Sequence, residues 1–211
     1  MDKPPHSEKL LIACDLDGTL ISINSYRHWV IASVLVALLT AQIGYLGRVF
    51  QSCLGRLDGS LTRWDMKRML IRSAADSGPL RWFSGRLFSK YVRLFTRRNV
   101  LAQIKKSSSP SATTFMVTAA WEMYCNELLR LYGFDRVIST KTYDDEENIG
   151  INKVKSISKS ININNNYKII VLTDHHDDIP LAKLASEVYL VSPTSRSINE
   201  FRKKNIEFEI I

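Results

Sequence analysis

Asp15 and Asp17 stand one residue apart in the run CDLDGTL, Cys14 to Leu20, just after the apolar stretch Leu10 to Cys14. Two carboxylates that close repel each other, and a strand end that buries them raises the cost. A divalent cation relieves that cost, and oxygen-only ligands of this kind suit Mg²⁺. One carboxylate can then attack an electrophilic centre while the other moves a proton. The plainer reading is a strand that ends in a polar turn at Gly18-Thr19.

Three further stretches could do chemistry with this pair. Phe115 to Ala120, FMVTAA, ends an apolar strand in a hydroxyl and two small residues. Thr118 can donate to a phosphoryl oxygen, and the next backbone amides, Ala119 first, lie near a helix start that favours anions. A plain N-cap threonine is the alternative. Asn148 to Lys153, NIGINK, places a lysine at the start of a helix. A cation is disfavoured there by the helix dipole, so a phosphate and a carboxylate are its natural partners. Lys153 is the first candidate and Lys155 the second, with a solvated surface lysine as the bland alternative. Val171 to Leu181, VLTDHHDDIPL, again ends an apolar strand in acids. Asp174 and Asp178, four apart, can straddle the turn into the next helix and meet the first pair. His175 and His176 beside them suggest either a transition-metal site or two side chains in solvent at the rim.

These residues must be held by elements the pattern supplies. Short apolar strands are read at Leu10 to Asp15, Phe115 to Val117, Arg136 to Ser139, Lys168 to Leu172, Val188 to Val191 and Ile206 to Ile211. Helices are read at Trp121 to Tyr132, Asn152 to Lys159, Pro180 to Ala185 and Ser197 to Lys204. Alternation of this kind predicts a parallel sheet covered on both faces, with ligands beyond the carboxyl ends of the strands. From about Ile21 to Lys106 the chain reads as helical throughout. The expectation is an α/β, Rossmann-like parallel-sheet core (1–21 and 107–211) with an all-helical cap (22–106) inserted after the first strand. Ser107 to Pro110 and the Asn-rich stretch Asn162 to Asn166 read as loops.

A chain of 211 residues with 45% hydrophobic content is long enough for a core plus a sizeable insertion. Cys14, Cys53 and Cys125 are widely spaced and odd in number, which suggests neither a disulfide framework nor a zinc site and fits a reducing compartment. The polar opening MDKPPHSEK does not read as a secretory signal, so a cytoplasmic location is expected. The formal net charge is +8, and residues 56–106 hold thirteen Lys/Arg against three acids. That bias favours an anionic partner, whether a phosphorylated substrate, an acidic membrane face or nucleic acid, or else marks solvated helix faces.

The DLDGT run resembles the first motif of the haloacid dehalogenase superfamily, most of whose members are Mg²⁺-dependent phosphatases. Thr118 matches the second motif, Lys153 the third, and Asp174 with Asp178 and the following Ile-Pro-Leu the fourth. The long helical cap and the Asp-Ile-Pro-Leu ending look most like the phosphoserine-phosphatase-like branch, subfamily IB. The hydrophobic character of the cap is similar to that of phosphatidylglycerophosphate phosphatases. The resemblance implies that Asp15 attacks phosphorus to form an aspartyl-phosphate. It makes Asp17 the acid that protonates the leaving oxygen and the base that then activates water. Thr118, Ala119 and Lys153 would hold the phosphoryl oxygens. Mg²⁺ would be held by Asp15, the backbone carbonyl of Asp17 and Asp174, supported by Asp178. An acid at position 17 favours a phosphatase over a dehalogenase-type member. The sequence departs from the pattern at His175-His176, where the family usually has Ser and a variable residue. It departs again at Asn24, where phosphoserine phosphatases carry the glutamate that reads the substrate's amino group.

The expected function is hydrolysis of a small phosphorylated metabolite. A lipid phosphate phosphatase peripheral to or anchored in a membrane is the alternative. Its support is the uncharged run Trp29 to Leu46, eighteen residues between Arg27 and Arg48, which is at the short end for a span. Ser33, Thr40, Gln42 and Gly44 interrupt it. Arg81 to Phe95 mixes aromatics with arginines as interfacial helices do. A cap that buries its apolar helices internally or in a homodimer is the competing reading. A nucleic-acid-binding protein that uses the basic cap is the least favoured, since it leaves the acid-bearing strand ends unexplained.

Overall fold

The computed structural model describes residues 9–161 and 167–211; the loop expected at Asn162 to Asn166 and residues 1–8 lie outside the described residues. Six strands form one parallel sheet: β1 (Lys9–Cys14), β2 (Thr113–Trp121), β3 (Arg136–Thr140), β4 (Tyr167–Thr173), β5 (Glu187–Leu190) and β6 (Glu209–Ile210). Their order across the sheet is β3-β2-β1-β4-β5-β6. The apolar run of β1 puts it at the centre, where a parallel strand is covered on both faces. Side chains alternate faces along a strand, so Ile12 and Cys14 join a core with Met116, Ile170 and Leu172. Leu11 and Ala13 face the other way, with Phe115, Val117, Ile169 and Val171. The register sets Cys14 opposite Met116 on β2 and Leu172 on β4. The residues that follow Cys14 and Leu172 therefore emerge together at one edge.

The insertion after β1 contains α1 (Ser25–Leu39), α2 (Ile43–Leu57), α3 (Arg63–Asp76), α4 (Gly78–Trp82), a π-helical turn (Phe83–Leu87) and α5 (Phe88–Arg93), and α6 (Arg98–Ser107) leads back to β2. Its two ends are pinned to each other: Ile21 bridges Thr96, and the Arg97 amide donates to the Leu20 carbonyl at 2.9 Å. Trp29 is fully buried, packs edge-on against Trp121 of β2 at 5.2 Å, and donates its indole N–H to Ser84. That contact joins the cap to the sheet. The core's remaining helices are α7 (Glu122–Tyr132), α8 (Ile151–Ser160), α9 (Ile179–Ala182) and α10 (Ser195–Lys203).

The structure corrects four details of the sequence reading. The uncharged run from Trp29 to Leu46 is two helices, not one. The Thr40 hydroxyl bonds back to the Val36 carbonyl, Ala41 takes φ +51°, and the chain turns before α2 begins. No helix among the described residues is long and apolar enough to cross a membrane. β2 continues through Thr118 to Trp121, with an irregular register against β3 after Val117, so Thr118 is a strand residue and not an N-cap. The C-terminal strand is confined to Glu209–Ile210, and α9 is a single short turn of helix.

Candidate active site

The carboxyl ends of β1 and β4 bring the first and fourth motifs together. The Asp15 amide donates to the Leu172 carbonyl at 3.0 Å, which extends the sheet pairing by one residue and carries Asp15 to the edge. Gly18 turns the loop back at φ +76°, and a Cβ there would stand 2.2 Å from Asp174 Oδ2. Only glycine fits that approach. Thr19 Oγ1 donates to Asp174 Oδ1 at 3.2 Å, so the loop after β1 holds the acid after β4 from two sides.

Lys153 enters from the first turn of α8. The residue is 3% exposed, and its ammonium lies 2.9 Å from Asp15 and 2.8 Å from Asp178. Asp178 also accepts from Thr173 Oγ1 at 2.8 Å. Lys155, the second candidate, points away: its Nζ bonds Asn152 on the exposed side of the helix. Burial pushes Asp15 up to about 7 against the pull of Lys153. Burial likewise raises Asp17 and Asp174, opposed mainly by Ser25 in one case and Thr19 in the other. Lys153 thus joins two of these carboxylates, and Asp17 and Asp174 lie close enough to be felt beside them. The donors are all oxygen, a chemistry that suits a hard divalent ion such as Mg²⁺.

Asp17 is held differently from Asp15. Its Oδ1 accepts the Ser25 amide at 2.8 Å, and the Ser25 hydroxyl pairs with Tyr124 at 2.9 Å. One oxygen of its side chain is thus tied to the start of α1. Thr118 is buried, and its hydroxyl accepts from the Ala120 amide at 3.1 Å. The Ala119 carbonyl accepts from Lys67 Nζ at 2.7 Å and Thr140 Oγ1 at 2.8 Å. Asn148 fastens this end of β2 to β3, donating to the carbonyls of Thr118 and Ile138.

His175 and His176 lie at the rim with rings 4.0 Å apart, and His175 Nδ1 is 3.1 Å from Asp177. Together with Asp177 they group closely enough to hold an ion. Both histidines are only partly buried.

Sequence reasoning missed several supporting residues. Lys67 of α3 is buried, pairs with Glu147, and lies over the Tyr26 ring at 5.1 Å. Nothing local marks it among thirteen basic residues of that stretch. Ser25 acts through its amide, which carries no residue signature. Thr19 and Asn148 lie inside the stretches already singled out, and their polar side chains were the available signal.

Residues 12–183 match the model of the haloacid dehalogenase-like hydrolase family. No curated protein matches. Among solved structures, the chain is similar to a protein of unknown function from Bordetella pertussis Tohama I, with a TM-score of 0.74 and 16% identity, covering 96% of this chain and 98% of that one. It is similar to a predicted phosphatase from Clostridium acetobutylicum, TM-score 0.56 and 14% identity over 97% and 94% of the chains. It also resembles a substrate-bound phosphoserine phosphatase, TM-score 0.53 and 14% identity over 92% and 90%. At these identities the likeness establishes the shared fold. With the family model spanning most of its length, the chain belongs to the haloacid dehalogenase-like hydrolases.

Proposed function

We propose that this hydrolase cleaves phosphomonoesters with Mg²⁺, through a phosphoryl group carried transiently on Asp15. The observation that carries the reading is the buried bridge from Lys153 to both Asp15 and Asp178, beside Asp17 and Asp174 at one sheet edge. The Asp15 oxygen forms a bond to phosphorus as the ester P–O bond breaks in line with it. Asp17, whose proton burial helps retain, gives that proton to the departing oxygen. It then accepts one from the water that attacks the acyl phosphate and frees Asp15. Lys153 and the Thr118 hydroxyl, with the Ala119 amide, hold the phosphoryl oxygens. Asp15, the Asp17 carbonyl and Asp174 would hold Mg²⁺, with Asp178 orienting Lys153. Bound there, the ion would neutralise the repulsion between carboxylate and phosphate.

The substrate we favour is a small phosphorylated metabolite other than phosphoserine. Asn24 supports that exclusion: its side chain caps α1, accepting from the Arg27 amide at 2.9 Å, and offers no carboxylate to an ammonium. A lipid phosphate is the second reading, favoured by the apolar side chains that α1 and α2 leave exposed. All three cysteines are free, in keeping with a cytoplasmic setting.

A screen of phosphorylated metabolites and lipid phosphates, with and without Mg²⁺, tests the proposal. Mg²⁺-dependent release of phosphate that Asp15→Asn abolishes, with the variant still folded, is the expected result. Normal hydrolysis of p-nitrophenyl phosphate by Asp15→Asn would refute it.

A further inference from the structure

The cap uses its positive charge in two separate ways. On α3, Lys67 holds Glu147 and the Ala119 carbonyl, and Arg68 and Arg72 reach Asp145 at 3.6 and 3.7 Å. Elsewhere Arg48, Arg81, Arg86, Lys90 and Arg93 are exposed, and none is ion-paired among the described residues.

Large apolar side chains stand uncovered on the same helices as these free cations or next to them. α1 exposes Ile31, Leu35, Leu38 and Leu39, and α2 exposes Ile43, Phe50, Leu54 and Leu57. Leu39, Phe50 and Leu57 are 87%, 67% and 85% exposed. On α2, positions 43, 50, 54 and 57, with Gly47 filling the series, recur at the helical repeat and form one stripe. Trp82, Leu87 and Leu94, each next in sequence to an exposed arginine (Arg81, Arg86 and Arg93), are exposed as well. An apolar groove of about 390 Å³ opens on the cap, lined by Ile31 and Leu35 of α1, Phe83 and Leu87 of the π turn, His28 and Tyr91. Scattered surface leucines need no explanation, but an apolar groove and an apolar helix stripe on the same insertion do.

We propose that this face of the cap docks peripherally on an anionic lipid bilayer. The apolar side chains enter the interface and the free arginines meet lipid phosphates. The claim stands apart from the phosphatase reading, because it uses no residue of the site. Charge selects the occupant. A second copy of the chain would set unpaired arginines against unpaired arginines. An anionic bilayer supplies an apolar layer and the counter-charge at once. The two helices are fifteen residues each, too short to span the hydrocarbon, so they would lie in the plane of the interface.

Cys53 on α2 is exposed while Cys14 and Cys125 are buried, so the full chain takes a polarity-sensitive dye at one place beside the stripe. The labelled protein is mixed with vesicles of phosphatidylcholine alone, or of phosphatidylcholine with phosphatidylglycerol, at low and high salt. The expected result is a blue shift and co-sedimentation with the phosphatidylglycerol vesicles, weakened by salt. Arg81→Gln with Arg86→Gln should weaken binding by about thirtyfold, at about fivefold per surface cation. Phe50→Ser with Leu57→Ser should abolish the blue shift. Both double variants should keep the wild-type circular dichroism melt and p-nitrophenyl phosphate hydrolysis. Asp15→Asn should bind vesicles as the wild type does, so a chain that lacks phosphatase activity still answers this question. Failure to bind phosphatidylglycerol vesicles overturns the proposal. So does a dimer in light scattering that Phe50→Ser with Leu57→Ser dissociates, which would make the face a self-interface.

Discussion

The Ser25 amide donates to the Asp17 carboxylate at 2.8 Å, so the first residue of the first cap helix fixes the second acid of the DLDGT run. The helical insertion is thereby tied to Asp17 through a main-chain atom. Ser25→Pro removes that donor and little else from the backbone. Proline is well tolerated at the first helical position, and Asn24 at φ −88°, ψ 104° already suits a residue before proline. Hydrolysis of alkyl phosphates, whose leaving oxygen needs a proton, should fall by about tenfold or more. Hydrolysis of p-nitrophenyl phosphate, whose leaving group is already a weak base, should fall less. Ser25→Ala keeps the amide and serves as the control for the lost hydroxyl. Steady-state kinetics on both substrate classes decide it, and an equal loss on both would mean that Asp17 is not the proton donor.

Mg²⁺ binding should be linked to pH through Asp15. Burial raises this acid from 3.8 to about 7 in the folded chain. The folded state then holds a proton that the unfolded state releases, so in the absence of metal stability falls as pH rises across that window. A cation must displace the same proton. The rise in Tm caused by Mg²⁺ should therefore grow from about pH 5 to about pH 7 and level off above it. Thermal melts with and without Mg²⁺ across that range measure the effect. A metal-induced shift that stays constant with pH would show that Asp15 is already ionised in the metal-free protein.

The grouping of the candidate residues is legible in the sequence because each ends an apolar strand or opens a helix. In a parallel sheet those points share an edge. Position and the resemblance of the motifs together gather Asp15, Asp174, Asp178 and Lys153, and the structure sets Lys153 between Asp15 and Asp178. The strand ending at Thr118 is legible too, but not its length, because two alanines carry no strand signature and here continue β2 to Trp121. The break in the run Trp29 to Leu46 was hidden for a related reason. Ala41 adopts its left-handed conformation without the glycine or proline that would have announced a turn. Lys67 could not be found at all. Its burial depends on Glu147 and Ala119, which are far from it in sequence, and no local pattern encodes a long-range partner.

Lys153→Met should both inactivate and destabilise. The lysine is the shared cation of two buried carboxylates, and removing one member of such a group leaves charge stranded in a dry interior, at a cost of about 3 kcal/mol or more. The loss should be largest near pH 8 and smaller near pH 5, because Asp15 can take up a proton there and relieve the stranded charge. Urea unfolding at the two pH values reads it directly. A destabilisation independent of pH would place the cost in packing and not in charge.

The links between α3 and the loop after β3 should differ sharply in strength although they look alike on paper. Lys67 and Glu147 are both buried, and Lys67 also holds the Ala119 carbonyl next to Thr118. Arg68 and Arg72 meet Asp145, whose side chain is 89% exposed, at 3.6 and 3.7 Å. Water and salt screen the second set, so Asp145→Ala should cost no more than about 0.5 kcal/mol and leave turnover intact. Glu147→Gln strips the counter-charge from a buried ammonium and should cost about 3 kcal/mol. On the proposed reading it should also raise KM, since the end of β2 at Ala119, which would meet the phosphoryl group, loses the anchor of its lysine. Measured unfolding free energies and KM for the two variants separate the cases. Equal effects from Asp145→Ala and Glu147→Gln would mean that the cap is held by its surface charges and that the buried pair is incidental.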